Sequence, residues 1–192
     1  MNTIILDLDD VICDMSTPLS KALKADTGKD IKPKDWSTFN LGEIYKVANE
    51  AIFETINRHE IIKHVKPIEH AKESIKLFRE LEFKVHVVTS RKPLDPSGDI
   101  TQAWFDRHEI IVDDLSITCH SAGKSEVAKK VRPLYFVDDH GGNLIDCAPY
   151  CTKSALLIDR PWNQRYAFNR LASLEALALL LDIDPLIDMG SN

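Results

Sequence analysis

No stretch of the sequence is long and apolar enough to cross a bilayer: the longest candidate, "LASLEALALLL" at residues 171–181, is too short and too interrupted. A surplus of positive charge is also missing. With 24 Lys and Arg against 30 Asp and Glu the net charge is -6, and the pI lies near 5.6. That balance argues against general affinity for nucleic-acid backbone, which needs clustered Lys and Arg, although a local basic pocket stays open. Cysteine is sparse and unpatterned. Cys13, Cys119, Cys147 and Cys151 stand in unlike contexts with no CxxC pair, so neither a disulfide framework nor a zinc site is expected, even though Cys147 and Cys151 could share a helix face. No secretory leader is read ahead of the first strand, and the thiols are expected to be reduced, in a cytoplasm. Internal repeats and low-complexity segments are absent too.

What is present suffices for one well-filled core with room for a satellite, since the chain has 192 residues of which 44% are hydrophobic. Short apolar runs bounded by turn signals predict strands over Thr3 to Leu8, Lys84 to Thr89, Asp114 to Cys119, Leu134 to Val137 and Ser154 to Ile158. Their near-continuous apolar character marks strands covered on both faces. Helical patterns alternate with them, over Glu69 to Glu82 and after an N-cap at Ser173. The alternation predicts an α/β fold with a parallel five-stranded sheet between helical layers. Roughly 75 residues separate the first two strands, far more than a crossover needs. Thr17-Pro18 reads as the N-cap and N1 pair of a helix that Gly28 ends, "DIKPKDWSTFN" reads as loop, and Leu41 to His59 carries a further helical pattern. Residues 15–66 are therefore expected to form a small helical cap subdomain, with residues 1–14 and 67–192 forming the core.

The first strand runs into "IILDLDDVICD", residues 4–14, where an apolar run meets Asp7, Asp9, Asp10 and Asp14. Repulsion and desolvation disfavour such a cluster unless a cation or a chemical role accompanies it. Ligands of an open parallel sheet bind outside the carboxyl ends of its strands, so the strand ends can be read as a set. The others are Thr89-Ser90-Arg91, then His120-Ser121 with Lys124 following, then Asp138-Asp139. Carboxylates, a hydroxyl and an amine in one crevice suit phosphoryl transfer through a carboxylate nucleophile. Mg²⁺ would screen the two anions, a lysine and a hydroxyl would hold phosphate oxygens, and a second aspartate would move the proton.

These residues resemble the haloacid dehalogenase-like (HAD) superfamily, whose four motifs match "DLDDV" at Asp7 to Val11, "VVTSR" at Val87 to Arg91, Lys124, and "FVDD" at Phe136 to Asp139. The resemblance spans residues 3 to about 160 and implies a HAD-like Rossmannoid three-layer core. It further implies Asp7 as nucleophile forming an aspartyl-phosphate, Asp9 as general acid/base, and Thr89 and Lys124 as phosphate ligands beside Ser90 and Arg91. Mg²⁺ would be held by Asp7, the Asp9 main-chain carbonyl and Asp138, with Asp139 nearby. Within the superfamily the chain is most similar to the 5'(3')-deoxyribonucleotidases and their bacterial and phage relatives, through the Asp-x-Asp-Asp-Val start, the early cap and "DRPWN" at Asp159 to Asn163. That likeness implies hydrolysis of a nucleoside monophosphate, a small-molecule phosphate ester, with Trp36, Phe39, Tyr45 and Phe53 available to pack on a base. Two positions depart from common superfamily usage: Val11 stands where many members carry Thr, and Asp10 where Gly is frequent.

Blander readings accompany each residue. Thr89 and Ser90 alone would simply open a loop, Arg91 reads equally as the partner of a surface acid, and His120 and His140 read first as structural. The cap aromatics read more readily as a miniature core, Lys129 and Lys130 compete with Lys124, and Asp159, Arg160 and Asn163 read as a turn around Pro161 or a brace of the crevice. Rival functions are a receiver-like signalling domain phosphorylated on Asp, and a phosphatase of sugar phosphates or nucleic-acid ends. A receiver carries its acceptor on the third strand, which here ends without an aspartate.

Overall fold

The computed structural model describes residues 2–119 and 121–183. Its strands are β1 (Thr3–Leu6), β2 (Lys84–Thr89), β3 (Asp114–Ile117), β4 (Tyr135–Asp138), β5 (Ser154–Ile158) and β6 (Asn169–Leu171). They form one sheet in the order β3-β2-β1-β4-β5-β6, with every neighbouring pair parallel. The helices are α1 (Ser16–Thr27), α2 (Leu41–Tyr45), α3 (Asn49–Arg58), α4 (Ile61–His64), α5 (Ala71–Glu80), α6 (Asp99–His108), α7 (Ser121–Val131), α8 (Gly141–Cys147) and α9 (Leu174–Ile183). Six strands rather than five correct the sequence reading. The sixth is a three-residue edge strand, "NRL", with a single apolar residue, too little for a period to register.

Side-chain alternation along the strands divides the core. Ile4 and Leu6 of β1 share a buried cluster with Ile75 and Phe78 of α5, Trp104 of α6 and Leu177 of α9. Ile5, one residue away, joins Phe136 of β4 with Ala128 of α7 and Leu144 of α8 on the opposite face. Each fully buried Leu, Ile or Phe contributes about 1.5–3 kcal/mol, so this double coverage makes the sheet the rigid part of the molecule.

The segment between β1 and β2 has a cluster of its own. Leu19 and Leu23 of α1, Tyr45 of α2 and Ile52 and Ile56 of α3 pack together with Trp36, and Trp162 joins them from beyond β5. The chain leaves and returns side by side: the Asp14 N–H donates to the Lys66 carbonyl at 2.9 Å and the Ile68 N–H to the Ile12 carbonyl at 2.8 Å. Thr17 is not the N-cap of α1. The helix starts at Ser16, and the capping acceptors are Asp10 Oδ1, 2.9 Å from the Ser16 N–H, and Asp14 Oδ1, 3.2 Å from that of Thr17. Gly28 ends α1 at φ 72°, as a left-handed C-cap that donates to the Lys24 carbonyl. The pattern over Leu41 to His59 breaks into α2 and α3 because Lys46 turns left-handed, at φ 52°.

At the start of α8 the backbone approaches a ring: a Cβ on Gly141 would lie 2.2 Å from Cγ of Tyr166. Gly141→Ala is therefore expected to destabilise the chain by about 1–3 kcal/mol in urea unfolding. Adding Tyr166→Ala to that variant should recover part of the loss; no recovery would place the cause elsewhere.

Candidate active site

Because β1 pairs directly with β4, the residues that follow them emerge together. The Asp7 N–H still donates to the Val137 carbonyl at 2.9 Å, which holds the Asp7 backbone to the tip of β4. Carboxylate oxygens of Asp7, Asp138 and Asp139 lie within 4.8 Å of one another, and all three residues are buried. One buried cation reaches two of them. Lys124 Nζ, from the first turns of α7, sits 2.7 Å from Asp7 Oδ1 and 2.8 Å from Asp138 Oδ2. Asp138 also accepts from the His140 N–H at 2.7 Å and from Asn143 Nδ2 at 3.2 and 3.0 Å.

Burial pushes the Asp7 carboxyl up to about 7, Lys124 opposing and Asp138 and Asp9 adding to the rise. Asp139 is pushed well above the carboxylate range by burial and by Asp138, Asp10 and Asp7. Lys124 is held above the usual lysine value: burial opposes this, but the attraction of Asp138 and Asp7 outweighs it. An all-oxygen set of clustered carboxylates suits a hard divalent cation, which would relieve the repulsion the lone lysine leaves.

Asp9 points elsewhere, and its carboxylate stands outside this trio. Arg91 grips it with Nε at 3.0 Å from Oδ2 and Nη2 at 2.5 Å from Oδ1, and Cys13 Sγ lies 3.4 Å from Oδ1. Burial would raise the Asp9 carboxyl, yet the guanidinium overrides it and holds the group below its ordinary value. Arg91 is itself buried, so its acid is a member of the site and not a surface residue. Thr89 Oγ1 and Arg91 Nη1 are among the buried donors without a partner among the described residues; Trp36 Nε1 and Thr101 Oγ1 are others. Thr89 and Arg91 line, with Lys124, a cavity of about 590 Å³. Unpaired buried donors are costly, and an anion would satisfy them.

The other expected residues divide. Ser90 is exposed, its Oγ 3.4 Å from Thr118 Oγ1. Lys129 and Lys130 are exposed in the last turn of α7, away from the acids that Lys124 meets. Helical insertion residues Met15, Leu19, Ile52, Phe53 and Ile56 form the apolar side of the cavity. Phe39 lines it half-exposed, its ring 4.3 Å from that of His140, and Trp36 lines it while packing on Trp162 at 5.6 Å. Tyr45 does not line the cavity, which corrects its place among the substrate-facing aromatics. It is fully buried and donates its hydroxyl to the Ile31 carbonyl at 2.8 Å. His140 caps α8 through Nδ1, which accepts from the Asn143 N–H. His120 lies outside the described residues.

Asp10, whose charge had no evident use in the sequence, occupies the left-handed region at φ 57°, where Gly is at ease and Asp is tolerated. Its side chain caps α1, and its carbonyl accepts from Arg160 Nε at 3.2 Å and Nη2 at 2.7 Å. Three contributors went unread in the sequence: Asn143, Trp162 and Cys13. For Asn143 a signal existed, since an amide one turn into the helix after paired acids can reach back to them. Trp162 reads as an apolar residue in a turn until its indole is seen 2.7 Å from Asp139 Oδ2.

Comparison with known proteins places these residues in a family. The family described as "5' nucleotidase, deoxy (Pyrimidine), cytosolic type C protein" matches residues 1–182. The chain is 29% identical over 136 residues to a curated Bacillus subtilis (strain 168) protein named "Putative nucleotidase YqfW", covering 70% of this chain and 68% of that one. In fold it is similar to a HAD family hydrolase from Deinococcus radiodurans R1 solved with phosphate and sodium, with a TM-score of 0.65, 13% identity, and 95% and 96% of the two chains covered. It is likewise similar to the D,D-heptose 1.7-bisphosphate phosphatase from B. bronchiseptica solved with magnesium and phosphate, with a TM-score of 0.55, 12% identity, and 96% and 99% covered. The chain belongs to the cytosolic type C 5'-nucleotidase family, and is a phosphatase of the HAD superfamily.

Proposed function

We propose that the protein is a Mg²⁺-dependent phosphomonoesterase that hydrolyses nucleoside monophosphates, most specifically as a 5'(3')-deoxyribonucleotidase, through an aspartyl-phosphate. The observation that carries this is the juxtaposition, in one cavity, of three buried carboxylates with Lys124 and with the unpartnered donors Thr89 Oγ1 and Arg91 Nη1. Such a set offers acids to a cation and donors to a phosphate at once. An Asp7 carboxylate oxygen attacks phosphorus, the P–O bond to the leaving group breaks, and Asp9 gives that oxygen a proton. Asp9 then takes a proton from water, which attacks the acyl phosphate and frees Asp7 and inorganic phosphate. Arg91 favours the ionised form of Asp9, so the proton that Asp9 gives enters with the bound phosphate monoester, and the carboxylate left behind is the base of the second half-reaction. Lys124, Thr89 and Arg91 bind the phosphate oxygens, with Ser90 beside them. Asp7, Asp138, Asp139 and the Asp9 carbonyl would hold Mg²⁺, whose charge screens the phosphate from the acids.

Residues 15–66 act as the cap over the core formed by residues 1–14 and 67–192. Their apolar wall, with Phe39, Phe53 and Trp36, suits a nucleoside better than a sugar, whose many hydroxyls would find few partners there. The family's own description, a deoxynucleotidase of cytosolic type, supports the substrate class and a cytoplasmic location. The acidic composition weighs against nucleic-acid ends, and the receiver alternative finds no support, since β3 ends at Ile117.

Release of inorganic phosphate, screened over nucleoside and sugar monophosphates with Mg²⁺, tests the reading. Deoxyribonucleoside monophosphates should be hydrolysed fastest, and Asp7→Asn should lose turnover while melting as a folded protein. Sustained turnover by Asp7→Asn would remove the nucleophile. In the same assay Asp9→Asn should be slower by about 10²- to 10⁴-fold.

Cation binding should also depend on pH. The Asp7 carboxyl lies above its unfolded-state value of 3.8, at about 7. The stability that it lends the metal-free fold is therefore full below about pH 4 and lost as pH rises through about 7. A cation requires the ionised form and competes with the proton. The rise in melting temperature on adding MgCl₂ should thus be larger at pH 8 than at pH 6, and equal rises at both would contradict the assignment.

A further inference from the structure

The short helical turn after β5, Pro161–Asn163, touches the site at three points through itself and its flanking arginine. Arg160 holds the Asp10 carbonyl. Asn163 Nδ2 donates to the carbonyls of Asp139 and Ile158, at 2.8 Å each, which fixes the backbone at the tips of β4 and β5. Between them Trp162 Nε1 donates to Asp139 Oδ2 at 2.7 Å, with both residues buried.

The three acids are not equivalent in this environment. Asp7 and Asp138 share the lysine, whereas Asp139 has no cationic partner among the described residues; its carboxylate receives the neutral indole N–H, and no described donor reaches Oδ1. An indole N–H can only donate and carries no charge, so it orients the carboxylate without neutralising it. A cation facing Asp139 would meet a group whose rotamer is already set and whose oxygens no lysine or arginine shares. The other side of Trp162 does something different. Its ring lies 5.6 Å from that of Trp36, tilted by 47°, and it is the buried residue from outside the helical insertion that joins the insertion's apolar cluster.

We propose that Trp162 is a positioning residue of the cation site, its N–H fixing the Asp139 carboxylate while its ring seats Trp36. One side chain thereby ties the helical insertion to the acids. The inference rests on the reading that Asp7, Asp138 and Asp139 hold a divalent cation. Its two halves are separable: Trp162→Phe removes the N–H and keeps a ring, whereas Trp36→Leu removes the ring's partner and keeps the N–H.

Isothermal titration of MgCl₂ into the full chain, freed of metal with EDTA, distinguishes the outcomes. The wild-type chain should bind Mg²⁺, Trp162→Phe should bind roughly 10- to 100-fold more weakly, the range usual for groups that orient a ligand, and Trp36→Leu should stay within about threefold of wild type. Wild-type affinity in Trp162→Phe overturns this inference alone. An equal loss in both variants also overturns it, because packing and not the N–H would then be responsible. No binding by the wild-type chain overturns the cation reading along with it. A measurement on the unaltered side chain guards against a variant that fails to fold. The chain has three tryptophans, and Trp36→Phe and Trp104→Phe identify the third indole N–H resonance as that of Trp162. That resonance should move most on adding Mg²⁺ to the wild-type protein, and a resonance that stays in place overturns the proposal.

Discussion

Mutual repulsion among Asp7, Asp138 and Asp139 governs the arrangement around them. Three carboxylates share a buried space with one lysine, and burying a charge costs several kcal/mol before any like-charge term is added. The surroundings answer this with donors: the amide of Asn143, the N–H of His140 and the indole of Trp162 all point at the trio. A small domain tolerates such a cost only where its remaining structure is well over-determined. The sheet supplies that, since β1 and β4 are central strands buried on both faces.

Strand order then decides what else can reach the acids. The chain goes from β1 outward to β2 and β3, and returns across the sheet to β4, so loops on either side of the β1/β4 junction diverge and leave a crevice there. Thr89 and Arg91 arrive from the β2 side and Asn163 with Trp162 from the β5 side. The helical insertion closes the third direction. It is held by two backbone hydrogen bonds at its base, by the cap that Asp10 places on α1, and by two aromatic contacts at its far end, Trp36 on Trp162 and Phe39 on His140. A residue of the acidic turn thus also fixes the direction in which the insertion leaves the sheet.

Much of this was legible before any coordinates. Buried parallel strands announce themselves as apolar runs, and charged residues at the ends of two such runs stand out because nothing else in a core strand tolerates them. What the sequence could not reveal depended on tertiary placement. β6 is too short and too polar to register as a period. Lys124 separates from Lys129 and Lys130 only when the phase of α7 is known. Tyr45 and Trp36 look alike as cap aromatics, yet one turns its hydroxyl into a miniature core while the other edges the cavity. Arg91 could not be assigned a partner because Asp9, its acid, lies far away in the chain.

The adjacent exit and re-entry of the insertion uncouples its length from the sheet. With its ends joined through Asp14 and Lys66, the segment leaves and rejoins the sheet at one place, and no described strand of the core threads through it. Replacement by a longer, shorter or wholly different segment would leave the strand pairing intact, provided the new segment again covers Trp162 and accepts the Asp10 cap. A change of length within the insertion is therefore absorbed where the chain leaves the sheet, without a shift in strand register.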